Sequence, residues 1–286
     1  MKRTCLYNGV VVLLATWACA QTGNECTFKR IIIREGAAAV AEGISNRKEV
    51  VGSYVQRNTG NVRGFYFLDG KYANINYPGA LSTSPTGVND VGDIVGYYQD
   101  SSGLHGFKYA NGKFRTIDYP GGRNTQIYGI NNAGQMVGAF SISSGEFGFV
   151  WSQGSFTRIH YPGSSRTAAY GIEEGGKIVG TYGDSTGASH GFSLINGRYS
   201  TIDFPGALNT SVFGINNNGV IVGEYDTGGP GNGFVFDNGN FLTEDDSKGI
   251  ITTLIFGINT ENQIVGTYVN SSGKQDAFRG NCAALP

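Results

Sequence analysis

The histidines are the first residues to consider for chemistry, because an imidazole can bind a metal or move a proton near neutral pH. They are His105, His160 and His190. A zinc site needs ligands that converge on one point. His105 and His190 instead occupy one position in two non-adjacent copies of a repeat, which is described below. We therefore predict a loop-edge role for them and no metal site.

Two short segments match the sequence patterns of known functional sites, but they lack the structural context that those sites require. Residues 183–187 (GDSTG) fit the pattern of hydrolase nucleophiles, which requires a strand–turn–helix elbow, but they lie in a predicted hairpin loop. Residues 228–233 (GGPGNG) resemble a calcium-binding glycine repeat, but Gly233 stands where the ligand aspartate is needed. We predict no catalytic residue and no cofactor.

An aromatic residue followed by Pro-Gly recurs four times, each time after a polar residue. The aromatic residues are Tyr77, Tyr119, Tyr161 and Phe204, and the residues before them are Asn76, Asp118, His160 and Asp203. A ring beside a carboxylate or an amide is suited to holding a sugar, and it is also suited to packing at the edge of a sheet. We predict the four aromatic residues, with Asp118 and Asp203, as ligand-binding residues, and keep packing as the alternative.

An acidic segment replaces the fifth aromatic-Pro-Gly motif. It contains Glu244, Asp245 and Asp246, in a chain that has few charges. We predict a polar or cation-attracting ligand site at these residues. A solvated seam without a ligand is the alternative.

Internal repeats explain the spacing of all these residues. GINNAGQMVG at 129–138 recurs in related form at 43–52, 87–96, 171–180, 214–223 and 257–266. Each copy contains four short strand-like segments rich in Tyr, Phe, Ile, Val and Thr, separated by Asn/Gly turns. Four antiparallel strands in about 40–45 residues are typical of one propeller blade. An open β-solenoid is the rival architecture, which the tight hairpins disfavour.

The two ends of the chain predict how the ring closes. Phe28 to Ile33 resembles the fourth strand of a repeat, whereas the last copy stops after its third strand, near Arg279. We therefore predict an all-β, six-bladed β-propeller of four-stranded antiparallel blades, in which the N-terminal strand completes the last blade. Cys26 and Cys282 flank the two strands that would meet there, so we predict a disulfide between them.

The N-terminus is typical of a secretory signal peptide. Lys2 and Arg3 precede an apolar run, and Ala18-Cys19-Ala20 fits a cleavage site, so we predict a leader over residues 1–20 and a propeller domain over 21–286. A lipoprotein site at Cys19 is the rival interpretation. We expect an extracellular or periplasmic protein.

The repeat resembles the bacterial extracellular repeats of the HAF family, named for a His-Ala-Phe triplet. GINNAGQMVG and the later GFVW at 148–151 carry the resemblance, and the triplet appears as His105-Gly106-Phe107, His190-Gly191-Phe192 and Asp276-Ala277-Phe278. Arg63, Phe147 and Asn232 occupy its first position in the other copies. The resemblance implies an exported bacterial protein, and it carries no activity with it.

Charge and repetition limit the function. Loss of the leader changes the formal charge from −1 to −3, so electrostatics disfavour nucleic-acid binding, and no segment has the length of a membrane span. Near-equivalent repeats favour binding, because catalysis needs a unique set of convergent groups. We expect a monomeric, non-catalytic module for carbohydrate or another cell-surface polymer. Its ligand would lie on the face that carries the loops between consecutive repeats and the loops between the second and third strands of each repeat. A glycosidase or lyase that uses rim carboxylates and a protein-interaction scaffold are the alternatives.

Overall fold

The computed structural model describes residues 26–244 and 250–282, and in them the chain forms six four-stranded antiparallel sheets. The strands of each blade are named a to d from the centre of the ring outwards. Blade 1 comprises β2 (Gly36–Ile44), β3 (Val50–Gln56), β4 (Val62–Leu68) and β5 (Lys71–Asn74). Blade 2 comprises β6 (Ser82–Val88), β7 (Ile94–Asp100), β8 (Gly103–Ala110) and β9 (Lys113–Thr116). Blade 3 comprises β10 (Arg123–Ile130), β11 (Met136–Ile142), β12 (Gly145–Ser152) and β13 (Ser155–Ile159).

Blades 4 and 5 repeat this order, and blade 6 takes its outer strand from the start of the chain. Blade 4 comprises β14 (Arg166–Ile172), β15 (Ile178–Gly183), β16 (Ser189–Ile195) and β17 (Arg198–Ile202). Blade 5 comprises β18 (Asn209–Ile215), β19 (Ile221–Asp226), β20 (Asn232–Asp237) and β21 (Asn240–Glu244). Blade 6 comprises β22 (Ile250–Ile258), β23 (Gln263–Asn270), β24 (Gln275–Asn281) and β1 (Thr27–Arg30). The predicted six-bladed propeller is confirmed.

Ring closure occurs as the ends of the sequence predict. β1 pairs with β24 from Thr27 opposite Asn281 to Arg30 opposite Phe278. Cys26 and Cys282 form the predicted disulfide, with their Cα atoms 4.1 Å apart. Strand β1 ends at Arg30, before the end of the predicted segment Phe28–Ile33. The backbone N–H of Ile31 donates one more hydrogen bond, to the carbonyl of Ala277 (2.8 Å), and the chain then turns towards blade 1.

The core lies between the blades as six similar clusters rather than as one centre. One phenylalanine of each c strand is fully buried there: Phe65, Phe107, Phe149, Phe192, Phe234 and Phe278. Each ring covers a glycine of strand b, as Phe65 covers Gly52, where an added Cβ would lie 2.0 Å from the carbonyl oxygen of Val40. The Val-Gly pair therefore recurs because the phenylalanine ring packs directly on the backbone of this glycine.

The leading glycine of each repeat allows neighbouring blades to approach at the centre. A Cβ on Gly43 would lie 2.8 Å from the carbonyl oxygen of Thr86 in the next blade. The asparagines that follow tie blades together: the Nδ2 of Asn89 donates to the Asn131 carbonyl (3.0 Å), and that of Asn259 donates across the closure to Ser45 (3.2 Å). Much of the repeated motif therefore serves architecture.

The predicted leader, residues 1–20, lies outside the described residues. Within residues 26–244 and 250–282 the structure contains no helix of the length and apolarity required to cross a membrane.

Candidate functional site

The four predicted aromatic residues lie in the d–a loops and stack on strand b of the following blade. Tyr77, Tyr119, Tyr161 and Phe204 stack on Tyr98, Phe140, Tyr182 and Tyr225, with ring centroids 3.5–3.7 Å apart and planes within 9°. A threonine at the start of each following strand a fixes the turn: Thr83, Thr125, Thr167 and Thr210 accept the backbone N–H of these residues at 3.0 Å.

One face of each of these rings is therefore covered by protein. Further rings approach from the side, as Phe114 does at 5.1 Å from Tyr77. The arrangement matches the packing alternative for the rings. Their role in ligand binding stays a prediction, in which they would support neighbouring polar groups rather than stack on a ligand.

Asp118 belongs to a polar cluster at the edge of blade 2. Its Oδ2 lies 2.8 Å from Nδ1 of His105, and its Oδ1 accepts the backbone N–H of Gly106. On the other side of the imidazole, Nε2 lies 2.8 Å from Oγ of Ser102 and 3.3 Å from Oδ1 of Asp100. The ring of His105 continues the stack of Tyr77 and Tyr98, at 5.2 Å from Tyr98.

Blade 4 repeats this cluster with the same geometry. Nδ1 of His190 lies 2.9 Å from Oδ2 of Asp203, and its Nε2 lies 3.5 Å from Oδ2 of Asp184. The imidazole stacks on Tyr182 at 5.1 Å. Thr186 replaces the serine and donates its hydroxyl to Asp184 at 2.8 Å. Both predicted aspartates are thus joined to a histidine that lies thirteen residues earlier in the chain.

The electrostatics of the two clusters favour a charged imidazole. The hydrogen bond that His105 donates to the carboxylate of Asp118 is the main cause of the raised pKa of His105. Burial acts to lower the pKa of His190, but Asp203 and Asp184 together raise it. Hydrogen bonds from Ser102 and Thr186 hold the pKa of Asp100 and Asp184 below its usual value.

Ser102, His105 and Asp118 have the order of a catalytic triad, but the proton arrangement argues against it. The hydroxyl of Ser102 has a second acceptor, Oδ1 of Asp100, at 2.7 Å. The carboxylates of Asp118 and Asp100 raise the pKa of His105 and so favour the protonated imidazole, which has no free lone pair to take a proton from the serine. In the described part of the chain, no group of His, Cys, Asp and Glu side chains is arranged to hold a metal ion.

The other blades carry different groups at these positions. In blade 3, Phe147 meets His160 edge to face at 5.2 Å, and the guanidinium of Arg158 lies 3.4 Å from the centre of the Phe147 ring. In blade 6, Asp276 pairs with Arg30 at 2.8 Å. The blades share one fold, but their side chains at these positions differ, and the histidine–aspartate cluster lies in blades 2 and 4.

The predicted acidic segment is described only at its start. Glu244 ends β21, where its backbone pairs with Gly233. Asp245 and Asp246 lie outside the described residues. The ligand-binding role of this segment stays a prediction.

A second candidate site lines the central channel, around which the a strands of neighbouring blades contact one another. Every a strand has a register shift just before the leading glycine of the repeat. The residues at this shift form what we call the bulge ring: Glu42, Thr86, Tyr128, Tyr170, Phe213 and Phe256. A β-bulge re-aims a side chain out of the regular pleat, which suits such a ring to a site.

Burial governs the charges of the bulge ring. Glu42 keeps some surface accessible to the channel, but the surrounding protein raises its pKa to about 7, although a hydrogen bond from Ser53 acts to lower it. Burial, followed by the charge of Glu42, raises the pKa of Tyr97 to about 12. Burial and the carboxylate of Glu146 raise the pKa of Tyr170.

The mouth of the channel at the a–b turns, which begins two residues beyond the bulge ring, is a depression whose polar groups bind one another. It is lined by Ile44 and its equivalents, and by Asn46, Asp90, Asn132, Glu174, Asn217 and Thr260. Asp90 accepts bonds from Asn46 and Asn132 at 2.8 and 2.9 Å, and Asn132 donates its backbone N–H to Glu174 at 2.7 Å. These bonds join neighbouring blades and leave fewer groups free for a ligand.

Sequence reasoning missed both the histidine–aspartate pairs and the bulge ring. The pairs join strand c of a blade to the residue after strand d, and the regular offset of thirteen residues in blades 2 and 4 was a signal for them. The bulge ring was visible as the residue before each leading glycine, where one glutamate stands among four aromatic residues and a threonine.

Comparison with solved structures agrees with the fold. A gluconolactonase from Xanthomonas campestris superposes with a TM-score of 0.57 and 13% identity, covering 90% of each chain. The Aleuria aurantia lectin in complex with Fucα1-6GlcNAc superposes with a TM-score of 0.55 and 12% identity, covering 90% of this chain and 97% of the lectin. No family model and no curated protein matches the chain. At these identities the likeness establishes the propeller architecture, which a sugar-binding protein and an enzyme share.

Proposed function

We propose that this protein is an exported, non-catalytic binding module for carbohydrate, with its ligand at the edge of the face formed by the b–c and d–a loops. The observation that carries the proposal is the duplicated cluster of His105 with Asp118 and His190 with Asp203. Carboxylates, an imidazole and hydroxyl groups supply the donors and acceptors that sugar hydroxyls require.

Exposure supports this assignment. The side chains of Asp118 and Asp203 are 39% and 40% exposed, and those of His105 and His190 are 23% and 26% exposed. The aromatic stacks behind them hold the imidazoles in place without covering their edges. A site that is ordered before binding loses less side-chain entropy on binding.

Duplication supports a repetitive ligand. Two similar sites on one rigid face can engage two units of one polymer chain, which raises the overall affinity without a new contact. We therefore infer a cell-surface polysaccharide or another repetitive glycan. Export and membership of the HAF repeat proteins belong to this proposal, and the disulfide fits an oxidising compartment.

A glycan array tests the proposal with the double variant D118N/D203N. Asparagine keeps the shape and one acceptor oxygen but removes the charge, so we expect about tenfold weaker binding or more to the best glycan. D93N is the matched control, because Asp93 lies in an a–b turn on the opposite face and pairs with Lys108 at 2.6 Å. A turnover assay on the same glycans tests the glycosidase or lyase alternative.

The outcome is decided by binding in a folded variant. If D118N/D203N keeps its melting temperature and binds glycans like the unmodified protein, the two clusters are not the site. If no glycan binds the unmodified protein, the carbohydrate assignment itself is wrong. Turnover of a bound glycan would replace the binding module by an enzyme.

A further inference from the structure

The bulge ring gives one sector of the central channel an aromatic wall. Centroid distances are 4.6 Å from Tyr128 to Tyr170, 5.3 Å from Tyr170 to Phe213 and 5.0 Å from Phe213 to Phe256. Each of these rings is only partly buried, as expected for residues that line a channel. Four neighbouring blades thus contribute one continuous aromatic surface.

Tyr97 extends this wall where blade 2 lacks an aromatic residue in the bulge ring. Thr86 occupies that position, and its hydroxyl donates to the backbone carbonyl of Ile127 at 2.7 Å. Tyr97, on strand b of the same blade, meets Tyr128 edge to face at 6.4 Å. The wall therefore runs from Phe256 through three other blades to Tyr97.

Glu42 occupies the gap that remains in the ring. Blade 1 lies between blades 6 and 2, so this carboxyl stands between Phe256 on one side and Thr86 with Tyr97 on the other. The backbone oxygen of Glu42 abuts Gly257 of blade 6, where an added Cβ would lie 3.0 Å away. The ring thus combines a wall of aromatic side chains with one carboxyl group between its two ends.

We propose that the bulge ring and Tyr97 form a cage for an organic ammonium ion, bound by the aromatic faces and by the carboxylate of Glu42. The face of an aromatic ring carries negative charge density, which attracts a cation within about 6 Å of its centre. A carboxylate beside such faces adds a direct ionic partner. This proposal goes beyond the carbohydrate site, from which it is separate in position and in chemistry.

Electrostatics favour a cation over a neutral ligand of the same shape. An ionised Glu42 without a cation beside it is unfavourable in its surroundings, and a bound ammonium ion would offset that cost. The carboxyl groups of Glu146 and Glu224 also act on Tyr170, opposed by the guanidinium of Arg166, and burial raises the pKa of both carboxyl groups as it does for Glu42. Arg166 is itself bonded to Ser189 at 2.6 Å.

Choline and its neutral isostere 3,3-dimethylbutan-1-ol test the proposal by calorimetry on the purified, disulfide-bonded protein. The two probes have the same shape and differ in the positive charge. We expect choline to bind at least about tenfold more tightly than the alcohol. Equal binding of the two probes, or no saturable binding of choline, would overturn the proposal.

Two variants locate the binding in the channel. E42Q preserves the shape of the side chain, and we expect it to weaken choline binding about tenfold or more. F213L keeps an apolar side chain without a π face, and we expect about fivefold weaker binding. E261Q is the charge-matched control, since the side chain of Glu261 is 54% exposed and pairs with Lys48.

Two variants are used so that the test still holds if one of them does not fold. Circular dichroism and melting establish that each variant keeps the fold, and F213L decides the matter if E42Q does not fold. Choline binding that is unchanged in the folded variants would place the ion elsewhere and overturn the cage. Binding by E261Q equal to that of the unmodified protein, with both channel variants weakened, supports it.

Discussion

The burial of Glu42 makes a quantitative prediction about stability and pH. The pKa of this carboxyl is raised from 4.5 to about 7 in the folded protein, chiefly by burial. A group with a raised folded pKa contributes stability that is fully present below its unfolded pKa and is lost as the pH rises through the folded value. The rise corresponds to about 3 kcal/mol, because one pKa unit is worth about 1.4 kcal/mol.

The substitution E42Q removes this titration and keeps the shape of the side chain. We therefore expect the unfolding free energy of E42Q, relative to that of the unmodified protein, to increase by about 3 kcal/mol between about pH 4 and pH 8.5. Most of the change should fall between 4.5 and about 7. Any fixed cost of the substitution shifts both ends of the curve equally.

Urea denaturation of the disulfide-bonded protein at a series of pH values measures this difference. His105 and His190 also have raised pKa values, so their stabilisation is likewise lost as the pH rises. Comparison of the two proteins at each pH cancels these contributions. E261Q, which removes an exposed charge, controls for net charge. A difference between E42Q and the unmodified protein that is flat from acid to alkaline pH would refute the reasoning.

Three further predictions concern the architecture. Reduction of Cys26–Cys282 should lower the unfolding free energy by up to about 5 kcal/mol, because the bond closes a loop of 256 residues; equal melting with and without reductant would contradict this. Y119A should cost about 2–4 kcal/mol in thermal unfolding, since it removes the ring stacked at 3.5 Å on Phe140, and a cost near zero would show that the stack is dispensable. G43A should be strongly destabilising, because its Cβ would lie 2.8 Å from the Thr86 carbonyl oxygen, whereas G229A, with nothing within 4 Å, is the control and should leave melting nearly unchanged.

The sequence determined the architecture because the fold is periodic. A blade is built from local hairpins, so turn residues, strand residues and their spacing are all visible within about 45 residues of chain. The spare strand at the N-terminus and the missing strand at the C-terminus then required closure between them. The cysteines beside these strands followed from the same argument, and the structure confirms both the pairing and the disulfide.

The tertiary structure alone decided what the repeated side chains do. A tyrosine before Pro-Gly is compatible with a free ring and with a stacked one, and only the neighbouring blade supplies Phe140 against Tyr119. The pairing of His105 with Asp118 is an exception, because strand d returns beside strand c within one blade. Glu42 acquires its raised pKa from its burial in the folded protein. Burial and ring closure are properties of all six blades together, so no single repeat contains the information that fixes them.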